Sequence, residues 1–275
     1  MPITFAAAIW GALFMAQTGE INIEPGKQLP QSVTVQGGDK NARNEITIRY
    51  QLFVPKDYKA TGEKWPLMLF LHGLGECSND DLNKVKIHGP AKIVEGRPDF
   101  PFVLITPQCP PPPGYDPAKP IERTSPQIIE LVRRAWKPEE LMQLVGHVLD
   151  QLNVDPDRVY VTGLSMGGYG TWRLAATYPD RFAAAVPICG GGEPDKMAPA
   201  LSRVPIWAFH GAKDPTVPIS ESKRMIYALR MASGDIRFTT YPDAAHNSWD
   251  QAYNNQEVYD WLLTHRRNAK EEAAK

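Results

Sequence analysis

Ile46–Pro55 (ITIRYQLFVP) alternates apolar and polar positions and ends in proline, the pattern of a half-exposed edge strand. Beyond it come short apolar runs that do not alternate: LMLFLHG ending at Gly73, FPFVLITP at Pro107, RVYVTG at Gly163, FAAAVPICG at Gly190 and VPIWAFHG at Gly211. An unbroken apolar strand is buried on both faces, as in a parallel sheet covered by helices. The text between the runs is helical. Glu139–Asn153 sets Leu141, Leu144, Val145, Val148, Leu149 and Leu152 on one face, and Ser220–Ser233 and Asn254–Arg267 repeat the period. Ser220 is the expected N-cap of its helix. Glu20–Asn44 reads as a polar leader. Strands followed by repeated strand–helix units predict an open, doubly wound, mostly parallel α/β sheet with helices on both faces.

Three segments stand outside this pattern. Pro107–Pro138 holds nine prolines, so neither a helix nor a central strand is expected there, only a surface excursion. Residues 269–275 form a polar tail without an apolar face. Residues 1–18 have an apolar centre and small residues near Ala16, as a secretory signal does, although a basic first segment is missing and Phe14 stands where a small residue is wanted. The expectation is export to a secreted or periplasmic location, with a cytoplasmic protein as the alternative. One domain is expected over residues 19–268, without an interdomain linker or repeat.

Composition narrows the classes. Of 275 residues, 43% are hydrophobic and 22% charged, ordinary globular usage, and a net charge of -1 with no basic block argues against a nucleic-acid partner. The apolar stretch Ile3–Ala16 is too short to cross roughly 30 Å of hydrocarbon, so no integral membrane segment is expected. Cys77, Cys109 and Cys189 are too few for a disulfide scaffold or a zinc site. Each lies at or just after a predicted strand end. Cys77 and Cys109 are the pair whose bonding is worth testing, against the reading that all three are small buried thiols.

Val159–Gly170 (VYVTGLSMGGYG) places Gly163-Leu164-Ser165-Met166-Gly167 between a strand and helical text ending near Tyr178. A strand that turns straight into a helix thrusts the serine out above the sheet in a strained conformation. Side chains two residues away on either side would collide, so glycine stands at both places. Ser165 is the candidate nucleophile.

A serine needs a base, itself oriented by an acid, and on such a sheet these follow in the order Ser, acid, His. His246, after the strand IRFTTYP and the loop DAA, is the candidate base. His210 precedes every plausible acid and reads as structural, and His265 lies in the last helix. Asp214, in HGAKDPTVP, is the candidate acid, with Glu193, Asp195 and Asp243 as competitors. His72, His88 and His147 show no ligand spacing, and neither a metal nor a cofactor is implied.

Charge that develops on a substrate oxygen calls for two N–H donors. Met166, next to the nucleophile, supplies one. The turn His72-Gly73-Leu74-Gly75 supplies the other, with Leu74 preferred over Gly73 and Gly75; Glu76 is a candidate brace for the turn, and His72 reads the same way. Only thirteen residues separate Gly190 from Val204, too few for a helical lid, which suggests an open cleft. Trp136, Tyr169 and Trp249 are candidate aromatic walls for a phenolic acyl group or a sugar, or equally core packing.

LHGLGE, TPQCP, NVDPDRVYVTGLSMGGYGTW, YPDRFAAAVPICGGG, FHGAKDPTVP and DAAHNSW together resemble the α/β-hydrolase esterases. More narrowly, they resemble the predicted-peptidase and phospholipase–carboxylesterase group with feruloyl-esterase-like members of carbohydrate esterase family 1. The resemblance runs from about Ile46 to Arg266; the excursion is longer and richer in proline than that pattern. It implies an α/β-hydrolase fold without a large lid domain, and a serine carboxylic-ester hydrolase whose triad is Ser165, Asp214 and His246. The implied partner is a small or polysaccharide-linked ester, feruloyl or acetyl. A serine peptidase of the same fold, or a catalytically dead binding protein, is the alternative.

Overall fold

The computed structural model describes residues 19–37, 44–112, 115 and 126–267, the side chains of 126–129 excepted. The leader 1–18, the tail 269–275 and most of the span 113–125 lie outside the described residues.

Eight strands form one sheet: β1 (Gln28–Gln36), β2 (Glu45–Phe53), β3 (Trp65–Leu71), β4 (Val103–Pro107), β5 (Val154–Leu164), β6 (Ala184–Ile188), β7 (Ile206–Gly211) and β8 (Ile236–Tyr241). Their order is β1-β2-β4-β3-β5-β6-β7-β8; β2 runs antiparallel to both its neighbours, β1 and β4, and every other pair is parallel. The helices are α1 (Gly89–Ile93), α2 (Pro126–Ala135), α3 (Pro138–Gln151), α4 (Met166–Thr177), α5 (Pro194–Leu201), α6 (Ser220–Met231), α7 (Trp249–Tyr253) and α8 (Gln256–Leu263). Among the described residues no helix is long and apolar enough to cross a membrane.

The non-alternating runs are buried on both faces. In β3, Leu67, Leu69 and Leu71 join the core under α3, α4 and α6, while Met68 and Phe70 face the second core under α1, α7 and α8. β5 divides the same way, Val159 and Val161 to one side and Tyr160 and Leu164 to the other. Trp172 anchors the first core, and Phe100, Phe102, Tyr160 and Tyr259 interlock in the second at ring separations of 5.0–6.3 Å. Burying side chains of this size contributes roughly 1.5–3 kcal/mol each.

Four expectations change. β2 is not an edge: β1, inside the supposed polar leader, pairs along its whole length and takes the edge position. Val33 and Val35 of β1 are buried while its glutamines, serine and threonine are mostly half-exposed or exposed. The excursion 107–138 is not free of helix, because Pro126 opens α2, where a missing N–H costs nothing. Ser220 does not cap α6; Ile219 holds that position with no side-chain bond. The short connection after Gly190 does contain a helix, the two turns of α5, with Ala198 and Leu201 buried beneath it.

Candidate active site

Ser165 is the single residue between β5 and α4. Its φ of 54° and ψ of -115° lie in the left-handed half of backbone space, a conformation that costs on the order of 1–3 kcal/mol outside glycine. Local bonds impose it: the Ser165 N–H donates to Ile188 O at 3.0 Å, and the Tyr169 N–H to Ser165 O at 3.0 Å. The turn is also tightly packed. A Cβ on Gly163 would stand 2.4 Å from Gly167 O, and one on Gly167 only 1.9 Å from Leu71 O.

The loops after β7 and β8 carry Asp214 and His246 to the same place. His246 Nε2 lies 2.9 Å from Ser165 Oγ, and His246 Nδ1 lies 2.7 Å from Asp214 Oδ2. Asp214 Oδ1 accepts the N–H groups of Thr216 and Val217 at 2.8 and 2.9 Å. Burial pushes the Asp214 carboxyl up, but hydrogen bonds from His210, His246 and the Val217 N–H outweigh it and hold the group well below the usual carboxylate range. An ionised Asp214 accepts from Nδ1–H, which leaves the Nε2 lone pair facing the serine hydroxyl. The competing acids lie elsewhere: Glu193 pairs with Lys196 and Asp243 with Lys213 on the surface, and Asp195 is exposed in α5.

The oxyanion candidates sit beside this chain. Gly73 approaches Ser165 so closely that an added Cβ would be 3.7 Å from the serine Cβ. Its N–H is taken by Glu76 Oε2 at 2.8 Å, which removes Gly73 as a donor. Among the described residues, neither the Leu74 nor the Met166 N–H has a hydrogen-bond partner. Burial raises the Glu76 carboxyl, with His88 and the Gly73 N–H opposing it; His88 Nε2 stands 3.7 Å away.

His72 braces the turn from behind. Its Nδ1–H donates to Gly73 O at 2.7 Å and its Nε2 accepts the Cys109 N–H at 3.0 Å, so the neutral ring is required. Burial lowers its pKa to about 4. His210, read as structural, has a larger part: its Nε2 lies 3.3 Å from Asp214 Oδ2. No local signal marks that contact, since it needs the loop after β7 to fold back on its own strand.

The three aromatic candidates separate. Trp136 and Tyr169 are interior, 4% and 2% exposed, with Trp136 edge-on to His72 and the Tyr169 hydroxyl donating to Glu221. Trp249 stands at the site, its ring 5.2 Å from His246 and 5.4 Å from His88. Ligand atoms of Cys189, Asp214 and His246 lie within 4.8 Å of one another. Both oxygens of Asp214 and both nitrogens of His246 are already engaged, and burial pushes the Cys189 thiol up, so the trio makes a poor metal site.

Residues 118–273 match the dienelactone hydrolase family. The chain belongs to that family. Over 73 residues it is 42% identical to poly(3-hydroxyalkanoate) depolymerase C of Paucimonas lemoignei, covering 26% of this chain and 17% of the depolymerase. A thermostable esterase of known structure superposes with a TM-score of 0.63 at 32% identity, over 86% of this chain and 63% of that one. The ferulic acid esterase of carbohydrate esterase family 1 from Anaeromyces mucronatus gives 0.58 at 16% identity, over 90% of this chain and 94% of that one, a likeness of fold. This dienelactone hydrolase family member thus spans less than two thirds of the first two relatives, and its sheet is that of the α/β-hydrolases.

Proposed function

We propose that the protein is a serine carboxylic-ester hydrolase working through an acyl-enzyme on short-chain or phenolic esters, including esters carried on polysaccharide. The observation that supports this reading is the continuous chain from Ser165 Oγ through His246 to an ionised Asp214, at 2.9 and 2.7 Å. His246 Nε2 takes the Ser165 proton as Oγ attacks the ester carbonyl. The N–H groups of Leu74 and Met166 receive the oxygen as it gains charge, a term on the order of 3–4 kcal/mol per donor. The alcohol leaves with the proton held by His246, and a water, activated by the same nitrogen, releases the acid. Family membership and the relatives named as esterases and a polyester depolymerase accord with ester chemistry. Trp249 beside His246 offers an aromatic wall to a phenolic acyl group.

The test is Ser165→Ala on p-nitrophenyl acetate, with a fluorophosphonate probe for labelling of Ser165. The reading expects loss of turnover by a factor of about 10⁴ or more and loss of labelling. Turnover retained by Ser165→Ala overturns it. Relative rates on methyl ferulate, acetylated xylan and a peptide amide assign the acyl class; amide rates equal to ester rates would make the protein a peptidase instead.

A further inference from the structure

Cys77 and Cys109 belong to different parts of the chain and lie together behind the Leu74 turn. Cys77 closes that turn, its N–H donating to Leu74 O at 3.2 Å. Cys109 follows β4, its N–H held by His72. The next residue along, Ser78, donates its N–H to Cys109 O at 3.3 Å. A disulfide needs its two Cα atoms roughly 4.4–6.8 Å apart, and the Ser78–Cys109 bond holds the two main chains side by side next to the pair. The Cys109 thiol reaches Ala135 O at 3.8 Å, and the neighbouring Cys109 together with burial pushes the Cys77 thiol up. Both residues are free and buried, 4% and 5% exposed. Cys109 is also one of the residues that line a cavity of about 380 Å³, together with Ser78, Gln108 and Trp136.

We propose that Cys77 and Cys109 form a disulfide that ties the Leu74 turn to the end of β4, leaving Cys189 as a free thiol. The two thiols each release a proton and together two electrons, and a disulfide oxidant such as oxidised glutathione accepts both, leaving as two glutathione thiols. The exchange proceeds through a mixed disulfide on Cys109, the cysteine of the pair that lines the cavity, which Cys77 then displaces. Cys189 is buried with its sulfur within 4.8 Å of ligand atoms of Asp214 and His246, so it takes no part. The crosslink closes the segment that contains α1 and acts on the turn whose position sets the Leu74 N–H. In that arrangement oxidation stabilises the folded protein and fixes the turn that carries the Leu74 N–H, leaving Ser165, His246 and Asp214 in place.

The experiment equilibrates the full-length purified protein with a glutathione redox couple, then unfolds it and counts thiols. The count is expected to fall from three to one, and non-reducing peptide mass spectrometry to recover the Cys77 peptide joined to the Cys109 peptide. The midpoint of thermal unfolding is expected to rise by roughly 5–10 °C over the fully reduced protein, a gain absent from both Cys77→Ser and Cys109→Ser. Three thiols remaining at equilibrium, a stable glutathione adduct on Cys109, or a crosslink that includes Cys189 would each overturn the proposal. The thiol count is independent of ester turnover, so an inactive enzyme with a joined Cys77–Cys109 pair counts against the proposed function alone.

Discussion

His210 Nε2 stands 3.3 Å from Asp214 Oδ2, the same oxygen that takes the Nδ1–H of His246 at 2.7 Å. Two imidazoles therefore share one carboxylate oxygen. His210 Nε2 also lies 2.9 Å from Val217 O, so with two acceptors before it that nitrogen carries hydrogen. On the other side Nδ1 is 2.8 Å from Ser222 Oγ in α6, and that hydroxyl reaches Gly190 O at 2.8 Å. The chain fixes the Asp214 loop to a helix and to the end of β6. In the proposed mechanism His210 is thus a positioning residue acting through Asp214. His210→Asn is expected to lower kcat on p-nitrophenyl acetate about tenfold, the worth of one charge-assisted hydrogen bond, with KM unchanged. Asp214→Asn should lose about 10³–10⁴. A fall confined to thermal stability, with kcat intact, would make His210 a packing residue only.

The glycines around Ser165 permit a sharper stability test. A methyl group on Gly167 would lie 1.9 Å from Leu71 O, a backbone atom of a central strand that has no room to move. Gly167→Ala is expected to destabilise by more than about 3 kcal/mol or to prevent folding. Gly75→Ala is the control, since nothing lies within 4 Å of the added carbon. Urea denaturation of the pair checks both; equal midpoints would mean that the strained turn relaxes freely.

The donor reading of Leu74 is open to a substitution that removes only an N–H. Gly73 before it is extended, with ψ of 178°, the conformation a following proline requires, and Leu74 occupies the first position of a helical turn, where proline is tolerated. Leu74→Pro should fold and lose about 10²–10³ in kcat. Near-normal kcat in a folded Leu74→Pro protein would move the donor to Gly75.

What the sequence made legible is what chemistry makes local. The strand, turn and helix around Ser165 are contiguous, so their glycines and apolar run announce the elbow directly, and chain order then limits the choice of acid and base. β1 was hidden because one of its faces is solvated and its polar residues outnumber Val33 and Val35; only pairing with β2 makes it a strand. α2 was hidden by the proline count, which ignores that Pro126 sits at a helix start. Trp136 and Trp249 look alike as text. Their difference, Trp136 against His72 and Trp249 against His246, arises from which loops meet, and no periodicity encodes that. The contacts of His72 and His210 are likewise tertiary.

His72 makes acid sensitivity predictable. The folded protein holds it neutral, with a pKa lowered by burial from 6.5 to about 4. Between those values the unfolded chain binds a proton that the folded chain does not, so stability is fully present above about pH 6.5 and falls as pH drops towards 4. The loss amounts to about 3 kcal/mol for this one group. His72→Gln should be less stable at pH 7.5 yet show a flatter profile between pH 6.5 and 4.5. Parallel profiles in urea titrations of the two proteins would shift the acid sensitivity to another group.

Trp136 and Trp249 test whether an aromatic wall governs substrate choice. The Trp249 ring stands edge-on to His246 at 5.2 Å and lies 5.4 Å from the His88 ring, so in the proposed mechanism it borders the acyl group on Ser165. Trp136 is 4% exposed and packs edge-on against His72. Trp249→Ala should raise KM for methyl ferulate about tenfold, the worth of one lost ring contact, and leave p-nitrophenyl acetate within a factor of about two. Trp136→Ala should instead cost about 3–5 kcal/mol of stability, as loss of a buried ring does, with no change in the ratio between the two esters. The discriminating measurement is that ratio of kcat/KM values in each variant. If it moves equally in both, or in neither, the phenolic wall is not Trp249, and the preference for aromatic acyl groups loses its structural basis.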